Sequence, residues 1–470
     1  MQIAASTLDR LKHAVGAGGF SEDPAELAPH LVERRGRYRG NSPLLLRPQT
    51  REETSAILAI CNETLTPLVP QGGNTGLVGA QIPFDGEIVL SLARMNRIRQ
   101  LDLGGMSAIV EAGVVLAELQ HAADEAGLYF PLSLAAEGSA MIGGNISTNA
   151  GGVNVLRYGS ARQLVLGLEV VLADGRILDL LRTLHKDNTG YDVKQLFIGA
   201  EGTLGVITAA ALRLFPTPCA RETAFIAVPD PRAAIELLRR LEEATEGLVS
   251  AFELVPRIGI EFVRAHIPQT TDPLARPSPW YVLAEVSSGG KLPLKDIVEG
   301  AVSAAIDSGL ATDATLAANE AQRTVLWRLR ESLSEAQKRE GASIKHDVSV
   351  PLESIPEFIA RGCAVVEAMI PGVRPVPFGH LGDGNIHFNL SAPKEGDESA
   401  FLARWDEASR AVHDMVHDFG GSISAEHGLG VMKRDEIARY KSATELDVMR
   451  ALKRTLDPNN ILNPGKVLRI

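Results

Sequence analysis

A glycine-rich loop directly after a short apolar strand constrains the fold of this chain most. Residues 65–69 predict the strand, and the loop occupies residues 70–79. Its four glycines remove side chains that would keep a pyrophosphate away from the backbone amides. The spacing is not Gly-x-Gly-x-x-Gly, and Pro83 with Asp85-Gly86 leaves no room for the helix that such a loop opens. The loop also lacks the Lys-Ser/Thr ending of nucleotide hydrolases. It is either a phosphate-binding loop outside the Rossmann folds or a flexible surface loop.

A second small-residue region, residues 137–152, strengthens the cofactor interpretation. It combines backbone donors with the polar side chains of Ser147, Thr148 and Asn149, and such a segment can wrap a large polar cofactor. Downstream, residues 164–172 and 176–180 flank an Ala-Asp-Gly turn and predict a hairpin.

The rest of the chain predicts a second domain of mixed helices and strands. At 470 residues the chain exceeds what one core usually accommodates, and residues 212–218 look like a boundary. Beyond them, strands alternate with helices, among them a helix at 231–244 with Asp230 as N-cap. A single long helix is predicted over 316–340. Lys345 follows in a predicted strand, 343–350.

Composition narrows the classes of function. A net charge of −11 argues against a nucleic-acid-binding surface, because phosphate binding needs clustered Lys and Arg. No apolar run reaches membrane-spanning length and no secretory leader pattern is visible, so the expectation is a cytoplasmic protein that is not integral to a membrane. The three cysteines have no Cys-x-x-Cys spacing, which argues against an iron–sulfur cluster.

A late cluster of metal-type ligands suggests a reaction centre. His380 and His387 flank an Asp383-Gly384 turn signal, so a hairpin could bring them side by side. With the carboxylate of Glu426 they could hold a divalent ion such as zinc and leave a position open for substrate, while His427 remains as a base. The alternative is two ordinary turn-flanking histidines and a surface carboxylate.

Other side chains allow two interpretations each. Arg330 and Ser334 are four residues apart on the predicted helix, and with Lys345 they could bind a carboxylate. The alternative is a solvated helix face. His413 and His417 are also one turn apart, and we interpret them as a solvated face rather than a metal site.

Several long, non-repetitive motifs, from about residue 40 to the C-terminus, resemble one family. They are Pro70-Gln-Gly-Gly-Asn-Thr-Gly76, Gly143-Gly-Asn145, Thr148-Asn-Ala-Gly-Gly152, Lys186-Asp-Asn-Thr-Gly-Tyr-Asp192, Ile198-Gly-Ala-Glu-Gly-Thr-Leu-Gly205, Lys345-His-Asp347, Gly379-His-Leu-Gly-Asp-Gly-Asn385, Glu426-His-Gly428 and Asn463-Pro-Gly-Lys466. Together they resemble the FAD-linked oxidases of the vanillyl-alcohol oxidase and p-cresol methylhydroxylase (PCMH) type, in the D-2-hydroxyglutarate and D-lactate dehydrogenase branch.

The resemblance implies an α+β, two-domain FAD-linked oxidase fold. A PCMH-type FAD-binding domain would occupy residues 1–217 and an α+β substrate domain with an antiparallel sheet residues 218–420. Residues 421–470 would return to the FAD domain and carry active-site residues. FAD would be held without a covalent bond, because no His, Cys or Tyr lies between Pro70 and Ala80. Its implied contacts are Gln71, Gly72, Gly73, Asn74, Thr75, Gly76, Gly79, Gly138, Gly143, Gly144, Ser147, Asn149, Gly151, Gly152, Glu201, Gly202, Ile207 and Asn463.

The resemblance also implies roles around the substrate. His380, His387 and Glu426 would bind zinc or manganese, and His427 would be the catalytic base and contact the substrate. Arg330, Ser334 and Lys345 match positions that hold the distal carboxylate, and Asn389 matches one at the reacting end. Ser334 replaces the Thr typical of hydroxyglutarate members, so the specificity for side-chain length is less certain.

The expected reaction is oxidation of D-2-hydroxyglutarate or D-malate to the 2-oxo acid by hydride transfer to FAD. D-lactate or another D-2-hydroxy acid is the alternative substrate. Electrons would pass to an external carrier such as electron-transfer flavoprotein or a quinone, and a homodimer would be unsurprising. A zinc hydrolase is a distant alternative, since it leaves the glycine-rich regions without a purpose. A non-catalytic protein that kept the fold is a third.

Overall fold

The computed structural model describes residues 3–470 and contains two compact units. The first unit contains the chain up to Gly151, residues 159–217 and the C-terminal residues from Glu426 onward. The second unit contains residues 152–158 and 218–425. Both units are therefore discontinuous in sequence. No helix within residues 3–470 has the length and apolar composition needed to cross a bilayer.

The strands of the first unit form a mixed four-stranded sheet, an antiparallel five-stranded sheet and a two-stranded sheet. The strands are β1 (Phe20–Ser21), β2 (Leu45–Leu46), β3 (Leu68–Gln71), β4 (Ile88–Ser91), β5 (Ile98–Asp102), β6 (Ser107–Glu111), β7 (Leu128–Tyr129), β8 (Val165–Val171), β9 (Ile177–Leu180), β10 (Val206–Arg213) and β11 (Phe215–Pro216). The larger sheets have the orders β1-β2-β4-β3 and β5-β6-β10-β8-β9, and β7 pairs with β11. Strands β2 and β3 run parallel to β4. The hairpin predicted around Asp174-Gly175 is confirmed as β8 and β9.

The helices of the first unit surround these sheets. They are Ala5–Val15, Pro24–Leu27, Arg51–Glu63, Leu116–Glu125, Ile142–Ser147, Ala161–Leu164, Ile437–Tyr440 and Ala443–Leu456, with short 3-10 helices at Ala28–His30 and Val193–Leu196. Helix Arg51–Glu63 begins where the Thr50 side chain accepts a hydrogen bond from the Glu53 N–H (3.1 Å). It buries Ile57 and Leu58 in the same core cluster as β2, β3 and β4.

The second unit is built on one antiparallel sheet. Its strands are β12 (Ala220–Val228), β13 (Val249–Pro256), β14 (Trp280–Ser288), β15 (Asp313–Leu316), β16 (Ser343–Ile344), β17 (Val348–Ser349), β18 (Arg374–His380) and β19 (Asn385–Ser391). Their order is β15-β12-β14-β13-β18-β19-β16, and β17 also pairs with β19. Mixed helices and antiparallel sheets confirm the predicted α+β class.

The helices of the second unit cover this sheet. They are Val155–Tyr158, Pro231–Thr245, Arg257–His266, Leu294–Asp307, Glu320–Glu331, Leu333–Arg339, Ile355–Met369, Glu398–Ala403 and Trp405–Asp418, with 3-10 helices at Leu352–Ser354 and Leu381–Asp383. The predicted cap is confirmed, because the Asp230 carboxylate accepts from the Ala233 N–H (2.9 Å).

Two local predictions are wrong. The single helix over 316–340 is two helices, because Asn319 caps a later start and Ser332 (ψ −8°) interrupts the helical geometry. Serine is a weak helix former in such a position. The face that carries His413 is buried rather than solvated: the His413 ring packs edge-on against His346, with 5.7 Å between ring centroids. His417 is exposed.

Candidate active site

A hairpin in the second unit brings the two predicted metal-ligand histidines together. Strands β18 and β19 pair with Phe378 opposite His387, and Gly384 closes the turn at φ +83°, a conformation that favours glycine. The His380 and His387 ring centroids lie 5.6 Å apart and the rings are nearly perpendicular. The predicted hairpin is confirmed, and its cause is the Asp-Gly turn between two apolar segments.

A buried glutamate that the sequence analysis missed connects this hairpin to the predicted carboxylate-binding arginine. Glu253 lies in β13 and is 0% exposed. Its Oε1 is 2.6 Å from His380 Nδ1, and its Oε2 accepts a hydrogen bond from Arg330 Nε (2.7 Å). Burial alone would raise the pKa of Glu253, but the charges of Arg330 and His380 lower it to about 2.

Arg330 is held on one side of its guanidinium group. It is 8% exposed, so the alternative of a solvated helix face does not describe it. Its guanidinium carbon lies 5.0 Å from the centroid of the Phe378 ring, which restrains the plane of the group. Only Nε donates to Glu253, and no other acceptor among residues 3–470 binds this side chain. The two terminal nitrogens therefore keep N–H donors for a further acceptor.

The other predicted distal-carboxylate residues lie in a more open position. Ser334 is exposed, and Lys345 Nζ lies 3.4 Å from Ser334 Oγ. The structure therefore brings Ser334 and Lys345 together on the surface, whereas Arg330 is buried. The break at Ser332 separates Arg330 and Ser334 into two helices, so they do not form the single helix face that their spacing predicts.

Asn389 is fixed in orientation by two neighbours. Its Oδ1 accepts from the His346 N–H (3.2 Å), and its Nδ2 donates to Gln337 Oε1 (2.9 Å). Gln337 in turn donates to Ser391 Oγ (3.0 Å). Because each end of the amide can make one more hydrogen bond, Asn389 can still contact a substrate.

Asp347 is a second residue to which the sequence analysis gave no role. Its Oδ1 lies 3.8 Å from His387 Nδ1 and accepts from Asn385 Nδ2 (3.0 Å). Its carbonyl oxygen accepts from the Ala425 N–H (3.3 Å). Ala425 is the last residue of the second unit, and Glu426 and His427 are the first residues of the segment that belongs to the first unit.

In the first unit, the two glycine-rich segments pack directly against each other. A Cβ on Gly73 would lie 1.9 Å from the carbonyl oxygen of Ser139, and one on Gly72 would lie 3.4 Å from Met141 Cβ. A side chain at Gly73 would therefore separate the segments. By contrast, a Cβ on Gly138 or Gly144 would meet no heavy atom within 4 Å, so these glycines border open space.

Buried polar atoms without protein partners lie in the same region and fit a polar cofactor. They include Asn74 Oδ1, Asn145 Nδ2 and Asn463 Oδ1. The other end of the Asn463 amide donates to the Glu201 carbonyl oxygen (2.7 Å), and the Glu201 N–H donates to the Ser147 carbonyl oxygen (2.8 Å). Buried polar atoms normally have a partner, so a bound FAD is a suitable source of the missing hydrogen bonds.

Some predicted cofactor residues have their side chains directed to protein groups. Gln71 Nε2 donates to the carbonyl oxygens of His30 and Gln81, both at 3.0 Å. Asn74 Nδ2 donates to Pro29 and Val32 carbonyls. Asn149 Oδ1 accepts from Ser160 Oγ and the Arg162 N–H. For these residues, backbone contacts with FAD are more compatible with the structure than contacts through the occupied side-chain atoms.

The Glu201 carboxylate is also bound by protein groups. It accepts from the N–H groups of Leu429 (2.7 Å) and Gly430 (2.9 Å), in the loop that follows His427. Burial raises the pKa of Glu201 to about 7, although these hydrogen bonds act in the opposite direction.

A cavity of about 170 Å³ adjoins this region without coinciding with the predicted cofactor residues. It is lined by residues between 196 and 204 and between 449 and 470. Asn463 is the one predicted FAD contact in its lining. The cavity therefore does not define the flavin site.

Comparison with known proteins identifies the family. Residues 217–467 match the model of the C-terminal domain of FAD-linked oxidases, and residues 42–181 match an FAD-binding domain. A solved structure of p-cresol methylhydroxylase superposes with a TM-score of 0.78 at 18% identity, covering 98% of this chain and 96% of that one. The predicted two-domain FAD-linked oxidase fold is confirmed.

Relatives of similar length extend this result. The chain is 42% identical to D-2-hydroxyglutarate dehydrogenase, mitochondrial, of Bos taurus, over 96% of this chain and 81% of the relative. It is 36% identical to D-2-hydroxyglutarate dehydrogenase of Xanthomonas citri, over 97% of this chain and 96% of the relative. A protein of Schizosaccharomyces pombe named putative D-lactate dehydrogenase C713.03, mitochondrial, is 38% identical, over 95% of this chain and 85% of the relative.

These names overturn one prediction. The bovine and Schizosaccharomyces pombe relatives are both named mitochondrial, which points to mitochondria rather than the cytoplasm. The predicted cytoplasmic location is therefore wrong. The physical reason is that surface charge and hydropathy describe a folded protein in water, and they do not distinguish one aqueous compartment from another.

The flavin predicted from the sequence agrees with the matched FAD-binding domain and with the unpartnered buried polar atoms of the first unit. This chain belongs to the FAD-linked oxidases and is an FAD-dependent oxidoreductase that acts on the CH–OH group of a small 2-hydroxy acid.

Proposed function

We propose that this chain oxidises D-2-hydroxyglutarate to the corresponding 2-oxo acid. The observation that carries the proposal is the buried arrangement of Arg330, Glu253 and His380, because one carboxylate holds both an arginine and a histidine of the proposed metal site. An arginine fork matches the distal carboxylate of a dicarboxylic substrate. The relatives named D-2-hydroxyglutarate dehydrogenase support the same substrate.

The first unit, with its C-terminal segment, is proposed to hold FAD without a covalent bond, and the second unit is proposed to be the substrate domain. The open space at Gly138 and Gly144 and the unpartnered atoms of Asn145 and Asn463 support FAD binding in the first unit. Backbone amides of the loop at 72–76 are suitable donors to the pyrophosphate.

The metal ligands are proposed to be His380, His387 and Glu426, which offer one ligand atom each. Two imidazoles and a carboxylate suit Zn²⁺ or Mn²⁺ and leave coordination positions for a substrate. Chain connectivity supports Glu426, because its neighbour Ala425 is hydrogen-bonded to Asp347, which lies beside His387. Consecutive Cα atoms are only about 3.8 Å apart.

In this reaction the C2–H and O–H bonds of the substrate break and a C=O double bond forms. When bound, FAD supplies the hydride acceptor and the metal ion acidifies the 2-hydroxyl group. His427 is proposed to take the hydroxyl proton. Arg330, with Ser334 and Lys345, binds the distal carboxylate, and the fixed amide of Asn389 orients the reacting end.

D-lactate is the second candidate substrate, favoured by the Schizosaccharomyces pombe relative named putative D-lactate dehydrogenase. Lactate lacks a distal carboxylate, so it would leave the terminal nitrogens of Arg330 without an ionic partner. A buried hydrogen-bond donor that is left without a partner costs about 1–3 kcal/mol. This cost favours a dicarboxylate, and D-malate is a shorter alternative of that class.

An external carrier such as electron-transfer flavoprotein or a quinone is proposed to reoxidise the flavin, because the sequence offers no cysteine pattern for an iron–sulfur cluster. A homodimer is also proposed, and sedimentation of the purified holoenzyme would test it. Rapid reoxidation of the substrate-reduced protein by air would contradict a dehydrogenase that needs a carrier.

The test of the proposed reaction is anaerobic bleaching of the flavin absorbance by D-2-hydroxyglutarate, D-malate, D-lactate and their L-enantiomers, with and without a chelator. We expect fast bleaching by D-2-hydroxyglutarate and its loss on chelation, restored by Zn²⁺ or Mn²⁺. A yellow protein that no 2-hydroxy acid bleaches would overturn the substrate. Bleaching that survives complete removal of metal would overturn the metal assignment.

A further inference from the structure

Glu253 makes polar contacts both with the carboxylate-binding arginine, Arg330, and with a proposed metal ligand, His380. We propose that Glu253 is a positioning residue that sets the spacing between these two ends of the substrate site and so selects the length of the dicarboxylate. This inference rests on the proposed function. It concerns a side chain outside the predicted site residues, in the middle of strand β13.

At the His380 end, Glu253 determines which ring nitrogen can coordinate a metal. Its Oε1 lies 2.6 Å from Nδ1, and an ionised carboxylate can only accept a hydrogen bond. Nδ1 must then carry the proton, which leaves the lone pair on Nε2. A carboxylate in this position fixes both the tautomer and the orientation of a metal-binding histidine.

At the Arg330 end, Glu253 determines which side of the guanidinium group remains for a substrate. Oε2 accepts from Nε, so the fork formed by the two terminal nitrogens, at the far end of the group, keeps its donors for a substrate. The Phe378 ring lies against the same guanidinium group and also against His387, with 5.2 Å between the ring centroids of Phe378 and His387. The fork is thus restrained in direction and in plane.

The backbone makes this connection rigid. Strands β13 and β18 pair in register at Glu253 with His380 and at Leu254 with Gly379. Directly opposed residues in a sheet project to the same face, so the carboxylate and the imidazole are held together by main-chain hydrogen bonds as well as by their own contact.

A substrate that binds the arginine at one end and the metal at the other must match a spacing fixed by one carboxylate. If Glu253 were changed, Arg330 and the metal site would remain, but the distance between them would no longer be fixed. Binding of a monocarboxylate depends on the metal end alone. Loss of Glu253 should therefore weaken discrimination between substrates of different length, in addition to any effect on metal affinity.

The experiment compares wild type, Glu253→Gln and a matched control, Glu285→Gln, each as FAD-loaded full-length protein. Glu285 is also a buried glutamate of the same sheet, and its arginine partner, Arg323, lies in the helix that carries Arg330. Glu285 contacts no proposed site residue. For each protein we would measure Zn²⁺ affinity by equilibrium dialysis of metal-free protein. We would also measure thermal stability and kcat/KM for D-2-hydroxyglutarate, D-malate and D-lactate.

For Glu253→Gln we expect Zn²⁺ affinity to fall about 10- to 100-fold, the range for removal of a group that orients a ligand. The preference for D-2-hydroxyglutarate over D-malate and D-lactate should fall about tenfold. Glu285→Gln should lower thermal stability and leave both the Zn²⁺ affinity and the substrate ratios at the wild-type values. If Glu253→Gln does not fold, Glu253→Asp carries the same readouts, because its shorter side chain cannot contact both partners.

Equal behaviour of the two glutamine variants, with lower stability and unchanged ratios and Zn²⁺ affinity, would overturn the inference and leave the proposed reaction intact. A fall in Zn²⁺ affinity with unchanged substrate ratios would overturn the length-selecting role. The proposed reaction itself would fail only if the wild-type flavin is not reduced by D-2-hydroxyglutarate, which the same measurements report independently.

Discussion

Glu253 and Glu285 lie on neighbouring strands of one sheet, and each is paired with an arginine of helix Glu320–Glu331. Glu285 accepts from both Nε and Nη2 of Arg323, and from Trp327 Nε1 and Thr223 Oγ1. All four contacts come from side chains of the unit itself. Glu285 is therefore a saturated structural group.

Glu253 is also buried and paired with an arginine of this helix, but its partners keep unused binding capacity. Its arginine, Arg330, follows Arg323 by seven residues and so lies two turns along the same helix face. Arg330 gives Glu253 only Nε, and the second partner of the carboxylate is His380. The difference teaches that a buried ion pair becomes a candidate site when its partners keep binding capacity, whereas a closed pair serves the fold.

Removal of a proposed metal ligand should have the largest effect and tests whether the histidines near Glu253 form a functional site. For His387→Ala we expect flavin reduction by D-2-hydroxyglutarate to slow by about 10³-fold or more, because stabilisation of the developing alkoxide by a metal contributes several kcal/mol. Anaerobic stopped-flow absorbance would measure it. The control His417→Ala changes an exposed histidine and should reduce its flavin at the wild-type rate. A His387→Ala protein as fast as wild type would remove the metal from the proposal.

The two arginines offer the next test. Arg330→Ala should lower kcat/KM for D-2-hydroxyglutarate by about 100-fold, since a charge-assisted contact with the distal carboxylate contributes up to about 3 kcal/mol. D-lactate should be affected little. Steady-state kinetics of both substrates would give the ratio. In Arg323→Ala the ratio should stay unchanged, and equal losses for both substrates in Arg330→Ala would assign that arginine to the fold.

The Glu285–Arg323 pair should contribute to the stability of the fold and not to activity. Trp327→Phe removes one donor to the buried Glu285 carboxylate and should lower the free energy of unfolding by about 1.5–3 kcal/mol. Urea unfolding monitored by circular dichroism would measure it, with Trp405→Phe, on another helix, as a control for loss of an indole. Unchanged stability would show that the other three donors already satisfy Glu285.

The dependence of stability on acidic pH gives a further test. The pKa of Glu253 is lowered to about 2 from an ordinary value of 4.5, so the ionised form stabilises the fold above pH 4.5 and this stability is lost as the pH falls toward 2. Over that window wild type should lose about 1.4 kcal/mol per pH unit more than Glu253→Gln. Urea midpoints between pH 5 and 3 would show the difference in slope. Parallel slopes would contradict a charged Glu253.

Local patterns predicted the parts of the site that depend on neighbouring residues. The Asp383-Gly384 turn was enough to place His380 beside His387, and capping signals gave the helix that begins at Pro231. The helix break at Ser332 was not predicted, because Arg330 and Ser334 fit helical spacing and a single serine is only weakly unfavourable within a helix.

Glu253 was missed because its partners are far away in sequence, 77 and 127 residues from it. Periodicity does not reveal which strands pair across such separations. One signal was available: Glu253 is the single charged residue of strand β13, which is otherwise apolar except for Ser250. A charged residue there is expensive to bury unless it is paired, which marks it for a specific partner. His413 was misjudged for a related reason, since its burial depends on contact with His346.

The in-register pairing of Glu253 with His380 also limits how this gene can vary. Side chains alternate between the two faces of a strand, so deleting or inserting one codon within β13 would turn the carboxylate to the opposite face and abolish its contacts with both partners. Substitutions at the exposed Ser334 carry no such penalty. Divergence of substrate preference should therefore accumulate at the rim of the site, while the length of β13 stays constant.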